Sequence, residues 1–164
     1  MLPALFALAM GLIAFVLLVR DALALRRIPG IDPAPVPAPP PSVSVIIPAR
    51  NEERTIAASA GGVLAQDYPD FNLTVINDHS GDRTGAILAE LAGGDRRLAV
   101  IDGADLPAGW TGKCWACWQA ARSSDGEWLL FLDADTRPQP GMIAGAIAHA
   151  TAHNLDLLTL MPFV

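Results

Sequence analysis

From Val43 onward the chain alternates strand-like and helix-like segments, and that alternation leaves few folds open to it. Val43 to Ile47 is a β-branched run, Thr55 to Gln66 is Ala-rich and helical, and Leu73 to Ile76 is again strand-like. Ala86 to Ala92 reads as helix, Leu98 to Ile101 as strand, Cys114 to Arg122 as helix and Trp128 to Leu132 as strand. Met142 to His153 predicts a last helix and Leu155 to Leu160 a last strand. Successive β-α units of this kind build a mostly parallel sheet flanked by helices, so the expected class is α/β.

The run Trp128-Leu129-Leu130-Phe131-Leu132 has no polar alternation, which predicts a central parallel strand covered on both faces. It ends abruptly in Asp133-Ala134-Asp135. Ligands of open α/β sheets collect outside the carboxyl ends of the strands. Two carboxylates leaving the sheet there suit one divalent cation, Mg2+ or Mn2+, bridging a diphosphate. An Asp pair after a strand equally suits the capping of a helix that begins near Pro140.

A parallel sheet should carry its other functional residues in the loops at the same edge. The first strand is followed by Pro48-Ala49-Arg50-Asn51-Glu52-Glu53 and the second by Asn77-Asp78-His79-Ser80-Gly81-Asp82-Arg83-Thr84. Asp82 or Thr84 also fits a helix N-cap, and Glu52 and Glu53 fit the positive end of a helix dipole. Three acid-bearing loops converging on one edge form the candidate site. Neither a G-x-G-x-x-G fingerprint nor a Walker A motif is present, which removes the main support for Rossmann dinucleotide binding and P-loop hydrolysis.

The amino-terminal part has a different character. Leu2 to Val19 is eighteen consecutive residues without a charge, and a membrane-spanning helix needs roughly 17–25. Arg20, Arg26 and Arg27 follow it, so the positive-inside rule keeps the rest of the chain cytoplasmic. The expectation is a single-pass anchor over 1–20, contacting the membrane through residues 2–19. A cleaved signal peptide is the competing reading, with Ala22 and Ala24 in an A-x-A-like arrangement, but its positive charge belongs before the apolar core. Residues 21–42 form a juxtamembrane and Pro-rich linker, since seven prolines between Ile28 and Ser42 fix φ and remove amide donors. Residues 43–164 form the α/β part.

The formal charge of −6, from 11 Lys and Arg against 17 Asp and Glu, and the lack of a basic cluster beyond the juxtamembrane arginines exclude a nucleic-acid surface. Cys114 and Cys117 form a C-x-x-C pair, which in some folds is a redox site. Within a helical segment the pair reads instead as two buried thiols, and structural zinc would need about four ligands.

The ordered motifs resemble those of family 2 glycosyltransferases: Val45-Ile46-Ile47-Pro48-Ala49-Arg50-Asn51-Glu52-Glu53, Gln66-Asp67-Tyr68-Pro69, Val75 to Thr84, and Leu132-Asp133-Ala134-Asp135. The stretch Leu106 to Ala116, with Gly109-Trp110-Thr111-Gly112-Lys113, is similar to a membrane-associated branch that includes hopanoid-associated and carotenoid glycosyltransferases. The resemblance implies a GT-A fold and a nucleotide-diphosphate sugar as donor. Pro48, Asn51, Glu52 and Asp78 would contact the nucleoside, and Asp133 and Asp135 match the D-x-D motif that holds the diphosphate through Mg2+ or Mn2+. Lys113 would pair with the phosphates, although a solvated lysine at a helix start is an equal reading. The family usually has two acids where this chain has Asn77 and Asp78.

The activity implied is transfer of the sugar with inversion to a lipid acceptor, suggested by the anchor. Inversion needs a carboxylate base. The resemblance puts that base beyond Val164, so no catalytic residue is nominated here. Asp156 stands at the opposite edge. Two expectations follow: the donor-binding part of a membrane-bound glycosyltransferase, or a non-catalytic nucleotide-sugar-binding module left by truncation.

Overall fold

The computed structural model describes residues 2–25 and 35–160. It divides into two units, residues 1–32 and 33–164. In the first, helix α1 runs over Leu2–Leu25. Its described apolar side chains, among them Phe6, Leu12, Phe15 and Leu18, are exposed. The described side chains run unbroken only from Met10 to Asp21 and end in a charged pair, Arg20 with Asp21. Among the described residues no helix is long and apolar enough to cross a membrane, so the single span expected over residues 2–19 is not supported there. Of the expected linker, residues 26–34 lie outside the described residues, and 35–42 contain no helix or strand.

The second unit is a four-stranded, all-parallel sheet of β1 (Val43–Ala49), β2 (Phe71–Asn77), β3 (Leu98–Asp102) and β4 (Trp128–Phe131), in the order β3-β2-β1-β4. Helices α2 (Ile56–Leu64), α3 (Thr84–Gly94), α4 (Gly112–Arg122) and α5 (Met142–Ala152) connect or follow the strands. The α/β expectation is met, with element ends moved by a few residues.

Strand β1 is the axis of the sheet. Val45, Ile46 and Ile47 are completely buried because side chains of successive strand residues face opposite helical layers. Val43, Val45, Ile47 and Ala49 join Ile56, Ala60 and Val63 of α2, Leu88 of α3, and Ile143 and Ile147 of α5 in one core. Ile46, with Ile76 of β2, meets Ala116 and Ala120 of α4 on the other face. Two alanines four positions apart let that helix approach the sheet closely.

The expectation for Trp128 to Leu132 requires correction. Strand β4 is one of the two edge strands among those described and pairs only with β1. Trp128 and Leu130 pack into the larger core, whereas Leu129 and Phe131, on the α4 side, remain 41% and 48% exposed. The reason is lateral: α4 covers β1 and β2 and stops short of β4. Leu155 to Leu160 is likewise not a strand. Asp156, Leu157 and Leu160 line an apolar cavity of about 350 Å³ with Val43 and Trp128.

The Gln66-Asp67-Tyr68-Pro69 motif is structural. Buried Gln66 donates to the carbonyls of Gly62 and Gln139 and accepts from the Ile143 amide, tying α2 to the start of α5. Tyr68 donates to the Pro41 carbonyl at 2.7 Å. At the sheet's amino edge, a Cβ on Gly126 would fall 2.5 Å from the Ser44 amide nitrogen and 3.0 Å from the Trp128 carbonyl. Gly126→Ala should therefore push the start of β4 off β1 and cost about 1–3 kcal/mol, the range for overpacking. Urea denaturation followed by circular dichroism measures it, and an unchanged midpoint would contradict the packing described.

Candidate functional site

Strand β1 delivers one loop to its carboxyl edge and holds two others. The Asp78 amide donates to the Ala49 carbonyl at 2.8 Å, and the Leu132 amide donates to the Ile46 carbonyl at 3.0 Å. The sheet ladder thus continues into the turns that carry Asp78 and Asp133. An open cavity of about 300 Å³ lies between them, lined by Pro48, Arg50, Glu52, Asp78, Lys113, Asp133 and Asp135 among others. Six of the seven residues nominated from sequence line it. The seventh, Asn51, does not.

Asn51 is occupied in holding the loops together. It has a positive φ of 58°, a conformation Asn tolerates better than most side chains. Its amide donates to Ser80 Oγ at 3.0 Å and its side-chain oxygen accepts from the Gly81 amide at 2.8 Å. Beside it the Glu53 amide donates to Asp82 Oδ2, and the Arg83 amide donates back to Glu53 Oε2. Thr84, fully buried, accepts from the Glu52 amide at 2.8 Å and donates to Asp82 Oδ1 at 2.6 Å. These bonds bracket the first two loops. Asn51 and Thr84 fall in the loops expected from the sequence, whereas their partners, some thirty positions away, are not readable from local pattern.

The helix-capping alternatives do not hold. The N-cap of α3 is Arg83, with no side-chain capping bond, and Asp82, one position earlier, accepts from the Thr84 amide. Helix α5 begins at Met142 after Gly141, which has a φ of 78°, so Asp133 and Asp135 do not cap it. Both remain exposed. Their turn is fixed by buried Ala134 and by Thr136, whose amide and hydroxyl both donate to the Asp133 carbonyl.

Charge is already paired within the cavity. Lys113 Nζ lies 2.6 Å from Asp133 Oδ1, with both side chains more than half exposed. Donation to Asp133 raises the Lys113 pKa, against the opposing effect of burial. Arg50, which carries no role in the sequence reading, has Nη1 3.6 Å from Asp78 Oδ2. Its signal was a cation at the start of a loop that carries two acids. His79 Nδ1 lies 3.3 Å from Asp78 Oδ1, and its Nε2 lies 3.5 Å from Asp105 Oδ1. Gly112 permits this crowding, since a Cβ there would stand 3.2 Å from Asp78 Oδ2.

Asn77, the departure from the usual pair of acids, donates through Nδ2 to Asp102 Oδ1 at 3.1 Å. An acid at 77 would instead face a like charge. The cysteines also differ from expectation: Cys114 is exposed and Cys117 half-buried, and both are free. Burial pushes the Cys117 thiol up, away from the thiolate that redox exchange needs.

Thr84→Val preserves shape and removes both hydroxyl bonds. It should cost about 1–3 kcal/mol by leaving the Glu52 amide and Asp82 underpartnered. The pH dependence carries a signature. Thr84 donation holds the Asp82 carboxyl below its ordinary value, so its stabilising contribution is present above the unfolded value near 3.8 and is lost as pH falls through the lowered folded one. The variant should show a weaker acid limb, measured as stability against pH, because only the Thr84 and Glu53 amides still donate to Asp82.

Residues 44–162 match the model of Glycosyl transferase family 2. The chain is 34% identical over 105 residues to a beta-monoglucosyldiacylglycerol synthase of Trichormus variabilis, covering 63% of this chain and 22% of that protein. It is 35% identical over 94 residues to a 4,4'-diaponeurosporenoate glycosyltransferase of Staphylococcus aureus, covering 57% and 24%. A mannosyltransferase from Pyrobaculum calidifontis, solved in complex with GDP-Man and Mn2+, superposes with a TM-score of 0.61 at 26% identity, over 82% of this chain and 39% of that one. The matched part spans under a quarter of the length of these two curated relatives. The fold is accordingly GT-A-like. Because the family match takes in all three loops of the cavity, this chain belongs to glycosyl transferase family 2.

Proposed function

We propose that residues 43–164 form the donor-binding part of a membrane-associated, inverting glycosyltransferase that uses a nucleotide-diphosphate sugar and a lipid acceptor. The observation that carries this reading is the meeting of Asp78, Lys113, Asp133 and Asp135, from three separate connections, around one open cavity at the carboxyl edge of the sheet. Pro48, Glu52 and Asp78 form the nucleoside side. Asn51 serves indirectly, by bracing the loop that presents them.

Among the described residues no group of three or more His, Cys, Asp or Glu is placed to hold a metal. Asp133 and Asp135 nevertheless fit Mg2+ or Mn2+, because such ions commonly take one or two carboxylates and complete their shell with substrate phosphates and water. A bound ion supplies Lewis-acid neutralisation of the leaving diphosphate. The chain's own residues do the rest: Lys113 and the amino end of α4, both at the cavity wall, attract the phosphates. Mn2+ in the GDP-Man complex of the mannosyltransferase supports the metal. The names of the two relatives, a diacylglycerol glucolipid synthase and a carotenoid-acid glycosyltransferase, support a lipid acceptor. The exposed apolar surface of α1 supports membrane attachment, and the arginines that follow the apolar run support a cytoplasmic catalytic part.

Calorimetry of the full chain with UDP should show binding that strengthens with Mn2+ and is lost in Asp135→Ala, at least tenfold in affinity. Equal binding with and without the metal would refute the assignment of the two aspartates.

A further inference from the structure

Three of the four tryptophans gather at one surface that the donor site does not use. Trp115 and Trp118 of α4 stack with ring centroids 4.8 Å apart, and Trp110 lies 5.3 Å from Trp115 and 5.6 Å from Trp118. Gly109, with a φ of 85°, turns the preceding loop so that Trp110 returns onto the helix, a conformation that favours glycine. Trp110 and Trp118 are each 39% exposed, and Leu106 in the same loop is 54% exposed. The arrangement follows from helix geometry. Ala116 and Ala120 face the sheet, which puts Trp118 and Arg122 about 200° from them on the outer side of α4.

The rings are not filling a core, and part of their polarity is already used. Trp115 Nε1 donates to the Ala104 carbonyl at 3.0 Å, while Gln119 Oε1 accepts from the Ala104 amide, so the loop is pinned to the helix as a preformed platform. The Arg122 guanidinium stands 5.2 Å from the Trp118 ring centre. Asp105, the acid of the same loop, reaches back to His79 on the cavity side. The outer side therefore presents aromatic rings, an exposed leucine and a cation.

We propose that this platform docks on an anionic lipid surface, with Trp110, Trp118 and Leu106 at the headgroup level and Arg122 paired with lipid phosphate. Tryptophan is the side chain that favours the membrane-water interface, being a large ring with one polar edge. The cation gives the complementarity that selects an anionic bilayer over other apolar partners. Helix α4 is 11 residues long, about 16 Å, and its first turn lines the donor cavity. Docking the outer rings would bring lipid headgroups within a helix length of the sugar donor. The inference deepens the lipid-acceptor reading and rests on it for its biological meaning.

The test needs neither donor nor acceptor, so it can fail while donor binding stands, and the converse also holds. The full chain is reconstituted in vesicles containing phosphatidylglycerol and lipids brominated near the headgroup, and tryptophan fluorescence is recorded. Quenching is expected, and it should fall by more than half in Trp110→Phe/Trp118→Phe, which keeps the aromatic cluster and leaves Trp115 and Trp128 as reporters. Arg122→Gln should shift the docked-to-free ratio by roughly fivefold in anionic vesicles and leave neutral ones unchanged, the effect of one basic residue at such a surface. Quenching that is the same in the double variant, or indifferent to Arg122 and to anionic lipid, overturns the proposal. So does a fluorescence response to soluble cellotetraose in place of lipid, which would make the surface a carbohydrate platform.

Discussion

The backbone of β1 is the element on which the rest depends. Along Val43–Ala49 it pairs with β2 on one side, and over Val43–Ile46 with β4 on the other. The same carbonyl series then reaches past the strands, to the Asp78 amide from Ala49 and to the Leu132 amide from Ile46. Backbone bonds of this kind have little freedom once the strand that supplies the carbonyls is buried, as β1 is. The separation of the acidic turns is therefore set by the pleat of one strand, and the side chains around the cavity inherit it.

Polar residues in the edge loops divide into those consumed by architecture and those left facing the cavity. Asn51, Glu53, Asp82 and Thr84 satisfy one another across the first two loops. Asp78, Lys113, Asp133 and Asp135 keep oxygen or nitrogen atoms toward open space. Such a division lets highly polar loops be rigid without spending their chemistry on rigidity. Asn77 belongs to the first group: its amide satisfies Asp102, where a second acid would have introduced repulsion.

Much of this organisation was legible in the chain. The β-α alternation identified all four strands and all four helices of the α/β part, because 2.0 and 3.6 residue periodicities are local properties. The four apolar residues before Asp133 carried no information about how many neighbours their strand would have. Leu129 and Phe131 therefore came out exposed at an edge. Leu155 to Leu160 failed for a related reason, since a short apolar run fits a strand, a buried helix segment or irregular chain equally well. In the site, the residue types announced the chemistry, but the bond from Thr84 to Glu52 and the pair between Lys113 and Asp133 are tertiary facts.

That last pair also sets the character of the cavity at rest. Asp133 already has a counter-ion, so any cation that bound its carboxylate would have to displace the Lys113 ammonium. Exposed pairs of this kind hold only about 0–1 kcal/mol. Separating the two charges therefore costs little, and a Lys113 ammonium freed from Asp133 would stay tethered at the cavity wall by α4. One weak contact thus leaves the lysine a positive charge free to re-aim within the reach of its own side chain.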